Sequence, residues 1–179
     1  MTEPNEFIRY LEQLRDREDR GALASLRRGL GQAPGAVPET SRIVQRGLTA
    51  DTMDYVETAC YIVAPLFALH PKEGGEGNMG DHFRALCGPT QPGEALPSNV
   101  ERRFMGLLTS DIEELPDTLR QAVSLLKSKK ELVNWRQLLR DVLAWTREGG
   151  YVQKQWGRAF WCAPQTAQPN PAQPVTNQP

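Results

Sequence analysis

Apolar residues in this chain recur three and four positions apart, and no stretch alternates as a half-buried strand does, so the pattern predicts an all-α protein. Phe7, Ile8, Leu11 and Leu14 mark a first helix over Asn5 to Arg17. Ala22 to Leu30 reads as a second, with Gly31 placed to close it as a C-cap. A third starts at Pro38, in its first turn, and runs to about Leu48. Asp51 or Thr52 opens a longer fourth carrying Tyr55, Ala59, Ile62, Val63 and Leu66, which Pro65 should kink or divide.

The segment His70 to Asn78, HPKEGGEGN, reads as a mobile loop. Asn78 is an N-cap for Met79 to Leu86, with Asp81 in the first turn where the helix dipole favours an anion. After a second loop, Gly88 to Pro97, Ser98 and Glu101 have capping-box spacing ahead of Phe104, Leu107 and Leu108. Three further helices are expected at about Pro116 to Ser128, Leu132 to Arg147 and Gly150 to Trp161. The sum is a single-domain bundle of eight or nine helices over residues 1–162. From Ala163 the chain holds no charge and no large apolar residue but Val175, so 163–179 is expected to be a disordered Pro/Gln-rich tail.

Composition changes this picture little. A hydrophobic fraction of 39% in 179 residues supports a real core. No apolar run reaches the length of about 18 residues that a membrane span needs. Met1 to Glu6 is polar and acidic, unlike a signal peptide. Cys60, Cys87 and Cys162 are odd in number and far apart, which points to a reducing cytoplasm and not to a disulfide framework.

Charge distribution is more informative. The formal net charge is −1, yet Arg102 to Arg158 holds eleven Lys/Arg against seven Asp/Glu, while residues 1–101 hold ten against fifteen. Stepping about 100° per residue, Trp135, Leu138, Leu139, Val142 and Leu143 share one face, and Arg136, Arg140 and Arg147 lie roughly opposite. Arg120 and Lys127 share a flank, Lys154 and Arg158 sit one turn apart, and Arg102 and Arg103 precede Phe104. Each stripe alone has the ordinary reading of a solvated helix face. Recurrence on four consecutive helices predicts cations turned toward a common anionic partner, holding a phosphate backbone without reading bases.

No chemistry of the catalytic kind emerges. His70, His82 and Cys87 have the spacing H-x11-H-x4-C, which matches no zinc pattern. GGEGNMG lacks the Lys-Ser/Thr ending of a phosphate loop and follows no strand. Glu113 and Glu114 sit beside Pro116 at a helix start, where the dipole accounts for them. No nucleophile, base and orienter assemble. Neither a metal nor another cofactor is expected.

Seven segments, in order, carry a resemblance: SLRRGL (Ser25 to Leu30), YIVAPLFALHP (Tyr61 to Pro71), NMGDHFRAL (Asn78 to Leu86), VERRFMGLLTSD (Val100 to Asp111), LRQAVSLLKSK (Leu119 to Lys129), NWRQLLRDVLAW (Asn134 to Trp145) and VQKQWGRAFW (Val152 to Trp161). Together they resemble the CasB family, the small subunit of the type I-E CRISPR surveillance complex, Cascade. The resemblance implies an all-helical, non-catalytic subunit present as two copies. Its implied partners are the other Cascade subunits with their CRISPR RNA and the target DNA, including the displaced strand. Carried onto the matching segments, the family's basic residues fall on Arg27, Arg28, Arg102, Arg103, Arg120, Lys127, Arg136 and Arg140. Lys154 and Arg158 complete the set, on a helix that could instead meet a protein partner. Trp135, Trp145, Trp156 and Trp161 are expected in the core or at an interface. A rival reading is a helical adaptor that uses its basic face only for proteins.

Overall fold

The computed structural model describes residues 4–72, 74–89 and 95–162. The tail expected from Ala163 lies outside them, as do Glu73 and the middle of the second loop. Among the described residues there are nine helices and no strand: α1 (Pro4–Asp16), α2 (Arg20–Arg27), α3 (Pro38–Arg46), α4 (Asp54–Leu69), α5 (Met79–Ala85), α6 (Ser98–Leu108), α7 (Leu115–Lys129), α8 (Trp135–Leu143) and α9 (Tyr151–Trp161).

Helix α4 is the axis of the fold. Ten consecutive or near-consecutive residues from Val56 to Ala68 are buried, so it is apolar nearly all round, the pattern of a helix enclosed by others. Helices α1, α2, α3, α7 and α8 pack around it. The helix continues through Pro65 undivided. Pro65 is buried beside Gly29, where a Cβ would come within 3.1 Å of its ring and 2.9 Å of the Thr40 methyl. Tertiary packing here outweighs the lost backbone bond.

A second group, α5, α6 and α9, completes the molecule. Helices α5 and α9 cross so closely that a Cβ on Gly80 would overlap the Trp156 carbonyl oxygen. Phe104 stacks between Phe83 and Phe160 at centroid separations of 5.2 and 4.3 Å, and Trp145 meets Trp156 at 5.0 Å. Rings of this size bury large apolar areas and dominate the cohesion between elements.

Several helix ends differ from expectation. Asn78 caps α5 as expected: its side chain accepts from Gly80 N, and the Asp81 carboxylate accepts from Asn78 N in a reciprocal box. Ser98 is not a cap. The helix begins at Ser98 itself with Pro97 in the cap position and no side-chain bond, and Glu101 is engaged elsewhere. Helix α4 begins at Asp54, because Thr52 is drawn into a turn with Thr49. Helix α2 stops at Arg27, and Gly31, at φ 70°, lies beyond the turn that follows.

The loop after α4 is pinned where a mobile one was expected. The carbonyl of Lys72 accepts from Trp135 Nε1 at 2.9 Å. A Cβ on Gly75 would lie 2.8 Å from the backbone of the link between α7 and α8, so glycine permits that close approach.

Candidate nucleic-acid interface

Arg102 and Arg103 follow the cap-proximal turn of α6, whose buried stripe, Val100, Phe104 and Leu107, fixes which way they face. They line a surface cavity of about 240 Å³ between α6 and α7. Phe83, Leu107, Ala122 and Leu125 give it an apolar base, and Thr118 and Gln121 add polar groups. Gly106 also lines it, and a Cβ there would meet open space, so the groove is widened by a missing side chain. Among the described residues neither arginine has an ion-pair partner. A cleft with cationic walls and an apolar base suits a sugar-phosphate chain, whose charge it meets without a desolvated competitor.

The other predicted cations do not join this groove. Arg136 Nη2 lies 2.7 and 2.6 Å from the two carboxylate oxygens of Glu12 on α1, a side chain only 13% exposed. Arg140 Nη2 donates to Asn5 Oδ1 at 2.8 Å. Arg28 pairs with Glu39 at 3.4 Å, and Arg120 with Asp117 at 3.4 Å, beside Gly31. The α6–α7 groove is lined by two of the ten predicted cations, Arg102 and Arg103. Four of the ten side chains meet local partners, in three cases a carboxylate. Arg27, Arg102, Arg103, Lys127, Lys154 and Arg158 are exposed and have no such partner among the described residues.

The histidines have structural work. His70 Nε2 lies 2.8 Å from the Glu131 carbonyl, and His82 Nε2 accepts from Asn134 N at 3.1 Å, so both brace the α7–α8 link. Burial pushes the His82 pKa down to about 4, only partly opposed by Asp81, and keeps the ring neutral as that bond requires. Burial, reinforced by Glu57, pushes the Cys60 thiol up to about 12, which suits a small core residue and not a nucleophile. Among the described residues no group of three His, Cys, Asp or Glu could hold a metal ion. None of their helices is long and apolar enough to cross a membrane.

Trp135, Trp145 and Trp156 are core residues, exposed by 2%, 3% and 0%; Trp161 is 45% exposed. Sequence reasoning missed that difference, and it missed Asp141, a buried acid counted among the surface charges. Both lie at positions where periodicity alone leaves the face ambiguous.

The family profile described as CRISPR-associated protein Cse2 matches residues 22–161. A Thermus thermophilus protein named CRISPR-associated protein Cse2 is 30% identical over 165 residues, covering 91% of this chain and 92% of its own. The crystal structure of CasB from Thermus thermophilus superposes with a TM-score of 0.77 at 28% identity, covering 91% of this chain and all of the other. A chain of a CRISPR RNA-guided surveillance complex shares the fold at a TM-score of 0.70 and 22% identity, covering 88% and 90%.

Proposed function

Since the chain belongs to the CRISPR-associated Cse2 family, we propose that it is a non-catalytic small subunit of an RNA-guided CRISPR surveillance complex, Cascade. In that setting, two copies hold the backbone of unwound target DNA, including the displaced strand, in the cytoplasm. Exchange of a DNA duplex for a guide–target hybrid is nearly balanced in free energy, so modest contacts to a displaced backbone tip it. The observation that carries the reading is the α6–α7 groove, lined by Arg102 and Arg103, which have no carboxylate partner among the described residues. Contacts to phosphate carry no sequence preference, which suits a machine that must accept any target.

The test uses the assembled complex. Arg102→Gln with Arg103→Gln should weaken DNA retention and flatten its salt dependence by about 1.4 to 1.8 in log–log slope, two phosphate contacts at about 0.7 to 0.9 each. Assembly and thermal stability should hold. Unchanged retention at every salt concentration in a normally assembled complex would overturn the reading and leave the protein-only adaptor.

A further inference from the structure

The outer face of α9 carries a feature that the groove does not explain. Val152, Trp156 and Phe160 turn inward, which leaves Tyr151, Lys154, Arg158 and Trp161, spaced by three, four and three residues, along one outward stripe. Two cations are flanked by two aromatic rings, 50% and 45% exposed, over about 15 Å of helix.

Trp161 is held firmly. Trp161 donates from Nε1 to Glu101 Oε1 at 2.8 Å and meets Phe104 and Phe160 edge-on at 5.5 and 5.3 Å. Its six-membered ring lies over Gly157, where even a Cβ would come within 3.0 Å. Tyr151 holds the Arg147 guanidinium 5.7 Å from its ring centroid, at the mouth of a link whose Gly149 and Gly150 both have positive φ. The Trp161 orientation is thus set by the fold, so a base stacking on it pays little ordering cost, while Tyr151 stands exposed with Arg147 over one face of its ring.

We infer that this stripe is a stacking surface for single-stranded nucleic acid, with Tyr151 and Trp161 receiving unpaired bases and Lys154 and Arg158 meeting the phosphates between them. Such surfaces combine rings with tracking cations and tolerate any base, because every base has a π-face. A duplex hides those faces, so the stripe selects a single strand. The inference rests on the nucleic-acid reading above but assigns a separate surface, on α9 and not in the α6–α7 groove.

The three other tryptophans are buried, so quenching of intrinsic emission by a bound base reports Trp161. The full chain is titrated with an oligothymidylate of about 12 nucleotides at low salt, following tryptophan emission and, separately, the anisotropy of a labelled oligonucleotide. Saturable quenching is expected, and a duplex of equal length should give none. Trp161→Leu should abolish the quenching and weaken binding about tenfold; Tyr151→Leu should weaken it by a similar factor, with Tyr151→Phe restoring it. Lys154→Gln with Arg158→Gln should reduce the salt slope by about 1.4 while leaving quenching at saturation. Trp161→Phe, which keeps a ring against Phe104, guards against a folding defect. Binding without quenching, indifferent to both leucine variants, would sink this inference and leave the groove reading standing. Absence of any binding to the oligonucleotide also overturns it, as does failure of the leucine variants to assemble with no change in DNA contact, which marks a protein interface.

Discussion

Trp156 Nε1 donates to Asp141 Oδ2 at 2.7 Å, with both residues buried, and this bond ties α9 to α8. Gln137 Nε2 supplies a second donor to the same carboxylate, on Oδ1 at 2.8 Å. Burial raises the Asp141 pKa above 3.8, and the bonds from Trp156 and Gln137 offset only part of that rise. A folded-state pKa above the unfolded value means that the native state holds the proton longer. This site's contribution is therefore fully present below pH 3.8 and is lost as pH rises through the raised value.

Asp141→Asn keeps an acceptor for the indole and removes the titration. The difference in urea-unfolding free energy between wild type and this variant should shift in the variant's favour as pH rises above 3.8. Asp141→Ala leaves the buried Trp156 N–H unpaired and should cost about 1–3 kcal/mol at neutral pH. An alanine variant as stable as wild type would show that the indole finds another acceptor.

His82 gives the opposite slope. Its pKa falls from 6.5 in an exposed ring to about 4 in the fold, so the unfolded chain binds the proton first. Stability present above pH 6.5 should decline as pH falls toward 4. His82→Gln can still accept from Asn134 N without titrating, so denaturation between those pH values should show a flatter profile. An unaltered profile would place the acid sensitivity on other groups.

Arg136 and Arg103 should separate by readout. Glu12 holds Arg136 in a forked contact, so Arg136→Gln should lower stability with little effect on DNA retention. The pair is half-exposed on the arginine side, and a double-mutant cycle with Glu12→Gln should give a coupling of about 0.5 kcal/mol. Arg103→Gln should do the reverse. A coupling near zero would mean that the contact adds geometry and no net stability.

Two helical glycines should respond with opposite sign. Gly106→Ala adds a Cβ into open space and relieves the entropic cost of a helical glycine, a gain of about 0.5–1 kcal/mol. Gly80→Ala drives a methyl into the Trp156 carbonyl and must separate α5 from α9, a loss of about 3 kcal/mol or more. Thermal melts of the two variants provide the check.

Local periodicity was enough to determine that the chain is helical, where each helix lies within a few residues, and which stripe of each is apolar. The Asn78 cap was legible because its partner is three residues away. The Ser98 cap was not, because its presumed partner, Glu101, bonds Trp161, 60 residues distant. Pro65 argued for a kink or a division, and enclosure of α4 prevented the division.

The same division runs through the candidate site. Periodicity marked eight of the ten cations as lying off the apolar stripes and the family resemblance added Arg27 and Arg28; six of the ten are exposed without a partner among the described residues. Only the packed structure decided that Arg136 meets Glu12, 124 residues away, or that Trp161 stays in reach of solvent while three other tryptophans do not. Side-chain direction around a helix follows from a 3.6-residue period. What waits there depends on how distant helices cross, and that is a property of the assembled core.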